Sequence, residues 1–123
     1  MHQIAQTGKT TLEGKTFELE LEKHHMNRSN EKCEKDCPKG WQMPTYQLLL
    51  SLRNNPQTRD QFNLLNTWEY VQNPDDVSRE KGYTAWFIAN SVGADLVCGG
   101  YPAFHDHDLG VRYMREISDK LPQ

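Results

Sequence analysis

The chain has 123 residues, a net charge of -3 at neutral pH, 36% apolar residues and 25% charged ones. That is enough for one domain, residues 1–123, and too little for two comfortable cores. The apolar share is below the globular norm, so a small core with much loop and surface is expected. Three tryptophans and five tyrosines nevertheless exclude a wholly disordered chain. The charge carries no polyanion-binding signature, so nucleic acid is not an expected partner. No apolar run reaches the length of a membrane span. Met1-His2-Gln3-Ile4-Ala5-Gln6 lacks the basic start and apolar stretch of a signal peptide. A soluble protein is expected, either cytoplasmic or displayed on a particle or cell surface by another route.

Along the chain, residues 1–15 hold turn formers and polar residues and read as a mobile start. Lys15 to His24 then alternates, with Phe17, Leu19 and Leu21 on one side and Glu18, Glu20 and Glu22 on the other. That period of two is a half-buried strand with its glutamates in solvent. Residues 25–40 are polar, end in Cys-Pro-Lys-Gly and read as a loop. Thr45 is placed to cap a helix over Tyr46 to Leu52, with Leu48, Leu49 and Leu52 on its apolar face. Asn54-Asn55-Pro56 stops that helix, and a second short one is expected over Thr58 to Leu65. Thr67 to Val71, Tyr83 to Ser91, Ala94 to Cys98 and Leu109 to Ile117 read as strands. Asn73-Pro74-Asp75-Asp76 and Gly99-Gly100 read as turns. Two short helices among mixed or antiparallel strands make an α+β pattern.

Several chemical motifs are present in fragments. Gly8-Lys9-Thr10-Thr11 is like the end of a phosphate-binding loop, but that loop needs a glycine at position 3, which is Gln3. Cys33, Cys37 and Cys98 are an odd, sparse set, which fits thiols better than a disulfide framework. His24, His25, Cys33 and Cys37 are soft ligands, but the cysteine spacing is wider than the common zinc pattern. Adjacent histidines on a strand also point to opposite faces. His105-Asp106-His107-Asp108 offers two imidazoles with no visible third ligand, so a solvated loop that touches a ligand is favoured over a metal catalyst. No nucleophile elbow is present. The expectation is a binding protein with no catalytic residue, cofactor or metal.

Two separated motifs carry a resemblance. Cys37-Pro38-Lys39-Gly40-Trp41-Gln42-Met43-Pro44-Thr45, followed by the Leu-rich helix, resembles the G-W-R-L-P-T element of C-type-lectin-like domains, a group that includes relatives of the formylglycine-generating enzyme. Tyr83-Thr84-Ala85-Trp86 and the later Leu109-Gly110-Val111-Arg112 resemble the terminal strands of the same domains. The match spans residues 37–117 and departs at Gln42-Met43, where the family has Arg-Leu. It implies a C-type-lectin-like fold in which Trp41, Pro44, Trp86 and Arg112 are structural. Trp41 and Trp86 anchor a small core, Pro44 ends the extended segment before the cap, and Arg112 needs a carboxylate or carbonyl partner.

One branch of that fold, the variable proteins of diversity-generating retroelements, displays a hypermutated patch near its C-terminal strands. Substitution at adenines in AAC-like codons does not reach Lys, Glu, Gln, Met or Trp. None of these five types occurs between Trp86 and Met114. The resemblance therefore implies a variable, ligand-binding region over residues 87–112, with Phe87, Ala89, Asn90, Ser91, Asp95, Val97, Cys98, Tyr101, Phe104, His105 and His107 as its contact positions. Tyr101 and Phe104 are the expected apolar anchors. Asn90, Asp95, His105 and His107 supply directional hydrogen bonds. The partner is a protein or glycan of unknown identity. The alternatives are a fixed-sequence lectin-like binding domain and, behind it, a formylglycine-generating-type or metal-dependent enzyme. Asn73-Pro74-Asp75 comes only near the calcium-dependent sugar-binding elements.

Overall fold

A two-residue turn decides the first sheet. Glu13 and Gly14 both have positive φ, 53° and 78°, which is the left-handed pair a type I′ hairpin demands. The computed structural model describes residues 2–74, 84–100 and 106–117. In it β1 (Thr7–Leu12) and β2 (Lys15–Glu20) pair antiparallel, with Leu12 opposite Lys15. The expected mobile start thus holds a strand, and Gly8 to Thr11 are part of it. On the far side of β2 lies β7 (Met114–Ile117), completing the order β1-β2-β7. Leu19 is fully buried, with Phe17 and Leu21 packed against the same core. The opposite face departs from expectation. Glu22 is exposed, but Glu20 is completely buried.

The polar stretch expected to be a loop contains α1 (Asn30–Lys35), where the Ser29 side chain accepts from the Lys32 amide. Cys33 is its one buried apolar residue, so no hydrophobic period announces the helix. Then α2 (Tyr46–Arg53) starts at Thr45, whose hydroxyl accepts from Leu48 N at 3.2 Å. Such a cap supplies one of the first-turn amides with an acceptor. Leu48, Leu49 and Leu52 are buried beneath it. Asn55 caps α3 (Pro56–Gln61), with Pro56 in its first turn. The same Asn-Asn-Pro that stops one helix starts the next, two residues earlier than expected.

The second sheet has the order β5-β4-β3-β6, formed by β3 (Thr67–Val71), β4 (Thr84–Ala89), β5 (Ala94–Gly100) and β6 (Leu109–Gly110). It is mixed, since β3 pairs antiparallel with β4 and parallel with β6. With the helices this makes an α+β architecture. Gly99 and Gly100 belong to β5 and are not a turn. Strand β4 has a core on each face. Ala85, Phe87 and Ala89 join Leu19, Leu49, Phe62 and Met114, while Trp86 joins Tyr70, Leu109, Val111 and Tyr113.

The expected single strand from Leu109 to Ile117 is broken after Gly110, because the chain there passes from the second sheet to the first. Arg112 fills the junction. Its Nε and Nη2 donate to the two Glu69 oxygens at 2.6 and 2.8 Å, and Nη1 donates to the carbonyls of Glu20, Leu21 and Phe62. Both partners are buried, at 1% and 0% exposure. Bidentate geometry with all three guanidinium nitrogens donating is the form in which a buried ion pair is best tolerated. Pro44 is buried, and its carbonyl accepts from Gln72 N. Trp41 is half-buried and carries the Arg115 guanidinium 4.8 Å above its ring.

Candidate functional site

Two places in the molecule have the makings of a site. The first is the β4–β5 hairpin and the strand beyond it. Asn90 organises the turn: its Oδ1 accepts from Val92 N and Gly93 N, and its amide donates to Gly93 O. Its carbonyl accepts from Arg53 Nη2 at 2.7 Å, which ties the hairpin to α2. Asn90, Ser91, Asp95 and Cys98 are exposed, and Val92 is 94% exposed. Among the described residues β5 has a neighbour on one side only. A depression of about 240 Å³ lies here, lined by Ile88, Asn90, Val92 and Asp95 among others.

Phe87 and Ala89 leave the expected contact set. Both face the core beneath α2, with 0% and 2% exposure, because alternate residues of β4 point to opposite cores. Val97 is half-buried against the other core. His107 is 82% exposed and sits 3.6 Å from Asp106 and 3.5 Å from Asp108. Tyr101, Phe104 and His105 lie outside the described residues. One residue missed by sequence reasoning is Trp68. It pairs across the sheet with Ile88, which in turn pairs with Asp95, and it is 39% exposed. These cross-strand partners stand on one face of the sheet. Thr67 to Val71 reads only as a strand from the sequence, so no local signal marks Trp68 as exposed.

The second place surrounds Glu20. Its Oε1 accepts from Tyr113 N at 2.9 Å, and its Oε2 accepts from Ala5 N at 3.1 Å. His2 Nε2 lies 2.8 Å and His24 Nε2 3.4 Å from that same Oε2. His24 is held by a two-way backbone bridge to Val111. The bridge is close enough that a side chain at Gly110 would meet the His24 carbonyl at 2.7 Å. His25 has φ 59°, which breaks strand alternation. The adjacent imidazoles consequently both lie against His2, with ring centres at 5.2 Å (His24) and 4.6 Å (His25). Burial, helped by the Arg28 charge, holds His25 below its ordinary pKa. Burial pushes the Cys33 thiol up to about 12 and the Cys37 thiol up to about 11, so both are protonated thiols at neutral pH in the metal-free chain. Among the described residues these histidines share no cluster of metal-ligand atoms with the cysteines. His24 meets His2 on Glu20 instead, with His25 against the His2 ring, and His2 was invisible to spacing arguments because it lies far from His24 in sequence.

A larger cavity of about 500 Å³ opens beside α1 and is lined by Cys37, Trp41, Met43 and Gln72 among others. No helix among the described residues is long and apolar enough to cross a membrane. No family model, curated protein or solved structure matches the chain.

Proposed function

We propose that this chain is a binding protein and not an enzyme: a receptor-type variable protein of a diversity-generating retroelement, displaying a ligand-binding patch on a C-type-lectin-like scaffold. The observation that carries the reading is a coincidence between composition and position. The segment from Phe87 to Tyr113 has no Lys, Glu, Gln, Met or Trp, and its described part includes the hairpin tip and strand β5, which among the described residues has one neighbour, with Asn90, Ser91, Val92, Asp95 and Cys98 exposed. Its ends are anchored by Phe87 at one side and by Arg112 at the other. Side chains can change on such a frame without moving the backbone, so affinity rests on preorganisation more than loop motion. The partner is a protein or glycan, met by polar groups around Val92 and Asp95, with Trp68 and Ile88 as the neighbouring apolar surface.

The test is the DNA flanking the gene. A near-copy of the segment encoding Phe87 to Arg112, differing mainly at adenines and lying beside a reverse-transcriptase gene, is the expected result. Complete flanking sequence without such a copy overturns the retroelement reading and leaves a lectin-like binder of fixed sequence.

A further inference from the structure

From the geometry around Glu20 we infer a binding site for one divalent transition-metal ion of the zinc type, held by His2 Nε2, His24 Nε2 and Glu20 Oε2. The three ligand atoms all lie within 4.8 Å of one another. Two of their separations are 2.8 and 3.4 Å. Zinc bonds of about 2.0–2.1 Å in a tetrahedron place ligand atoms about 3.3 Å apart, so the cluster needs shifts of only a few tenths of an ångström along those edges.

The hydrogen-bond inventory points the same way. In the metal-free site Glu20 Oε2 accepts from Ala5 N and lies 2.8 Å from His2 Nε2; the ion takes the place of any proton shared there, which is released or carried on Nδ1, so that Nε2 offers its lone pair. His24 Nε2 faces that oxygen, is buried, and has no hydrogen-bond partner among the described residues. A buried polar atom left in this state is costly. A cation between the three groups gives the His24 nitrogen a partner and neutralises a carboxylate that has 0% exposure. The surroundings are those of a supported metal site. Tyr113 N fixes the other carboxylate oxygen, His25 and Tyr113 pack edge-on against the His2 ring, and the Val111 bridge fixes His24. Such supports orient ligands and sharpen affinity. Two imidazoles and a carboxylate suit zinc and its neighbours better than calcium or magnesium. They leave a fourth position for water or another donor.

The experiment is zinc titration of the full chain, purified without a polyhistidine tag, by calorimetry, with cobalt as a visible-absorption probe. One zinc per chain is expected, with a rise in thermal midpoint and a cobalt spectrum of nitrogen and oxygen ligation. His2→Ala and His24→Ala each lose stoichiometric uptake while retaining the far-ultraviolet circular dichroism of the parent, and His107→Ala keeps it. His2→Ala decides the matter alone if His24→Ala does not fold. Absence of uptake by the parent, uptake that survives His2→Ala, uptake lost in His107→Ala, or sulfur-to-cobalt charge transfer each overturns the assignment.

Discussion

Replacing Arg112 by Met removes the guanidinium from a junction where every one of its contacts is internal. Glu69 is left as a carboxylate with 0% exposure, keeping the Thr67 hydroxyl at 2.7 Å as a donor. The carbonyls of Glu20, Leu21 and Phe62 lose their shared donor as well. Breaking a buried pair from one side costs about 3–5 kcal/mol, a large part of the roughly 5–15 kcal/mol that holds a domain together. For 123 residues, an unfolding entropy of about 2.1 cal/mol/K per residue converts ~4 kcal/mol into a fall of about 15 °C in Tm. Urea unfolding followed by tryptophan fluorescence measures the loss directly. The double variant Arg112→Met with Glu69→Leu removes the stranded charge and should cost clearly less than the two single changes added together. A single-variant loss below about 1 kcal/mol, or strict additivity in the cycle, would refute the junction argument.

Four further outcomes are expected. Thr45→Ala removes the α2 cap bond to Leu48 and should cost about 1 kcal/mol in urea unfolding. Gly110→Ala places a methyl group 2.7 Å from the His24 carbonyl and should cost about 1–3 kcal/mol, visible as a lowered thermal midpoint. Cys33 ionises less readily in the fold, near 12, than at its ordinary 9.0. The unfolded chain therefore releases the proton first, and stability should be full below about pH 9 and fall as pH rises towards 12, with Cys33→Ala flattening the slope of the urea midpoint against pH. Phe87→Ala should cost about 3–5 kcal/mol, whereas Ser91→Tyr and Asp95→Asn, at exposed positions, should each stay within about 0.5 kcal/mol. Equal penalties in the two groups would contradict the division of this segment into buried and exposed positions.

Much of the fold was written in local patterns. The α2 helix announced itself through Leu48, Leu49, Leu52 and the Thr45 cap, and β3 and β4 through runs of aromatic and β-branched residues. What was missed lacks a local pattern. The β1–β2 hairpin turns on Glu13-Gly14, where the usual Asn or Asp of a type I′ turn is absent. The α1 helix buries Cys33 and Asn30 and otherwise presents charged residues, so no amphipathic stripe marks it. The site around Glu20 was hidden by a rule that held for the rest of its strand. Alternation assigned Glu18, Glu20 and Glu22 to solvent, but amides from Ala5 and Tyr113 and the rings of His2 and His24 close over the middle one. Only tertiary contacts bring positions 2, 20, 24 and 113 together, and no spacing within the sequence encodes them.

The two candidate sites share one structural element, and on the proposed function this constrains how residues 87–112 can vary. Leu109 to Tyr113 is buried throughout. Val111 holds His24 in a backbone bridge beside which Gly110 leaves no room for a side chain, Arg112 holds Glu69, and Tyr113 N holds Glu20. Substitution inside that run would disturb both the junction and the imidazole cluster. Phe87 and Ala89 are closed to variation at the other end for packing reasons. Tolerated change in residues 87–112 should therefore concentrate on the exposed Asn90, Ser91, Val92, Asp95, Cys98 and His107, and the template copy that the proposed function requires should carry its adenine differences at those codons. Differences clustered instead at Phe87, Ala89 or Leu109 to Arg112 would mean that the segment varies at its anchors, which a fixed backbone with a replaceable surface does not permit.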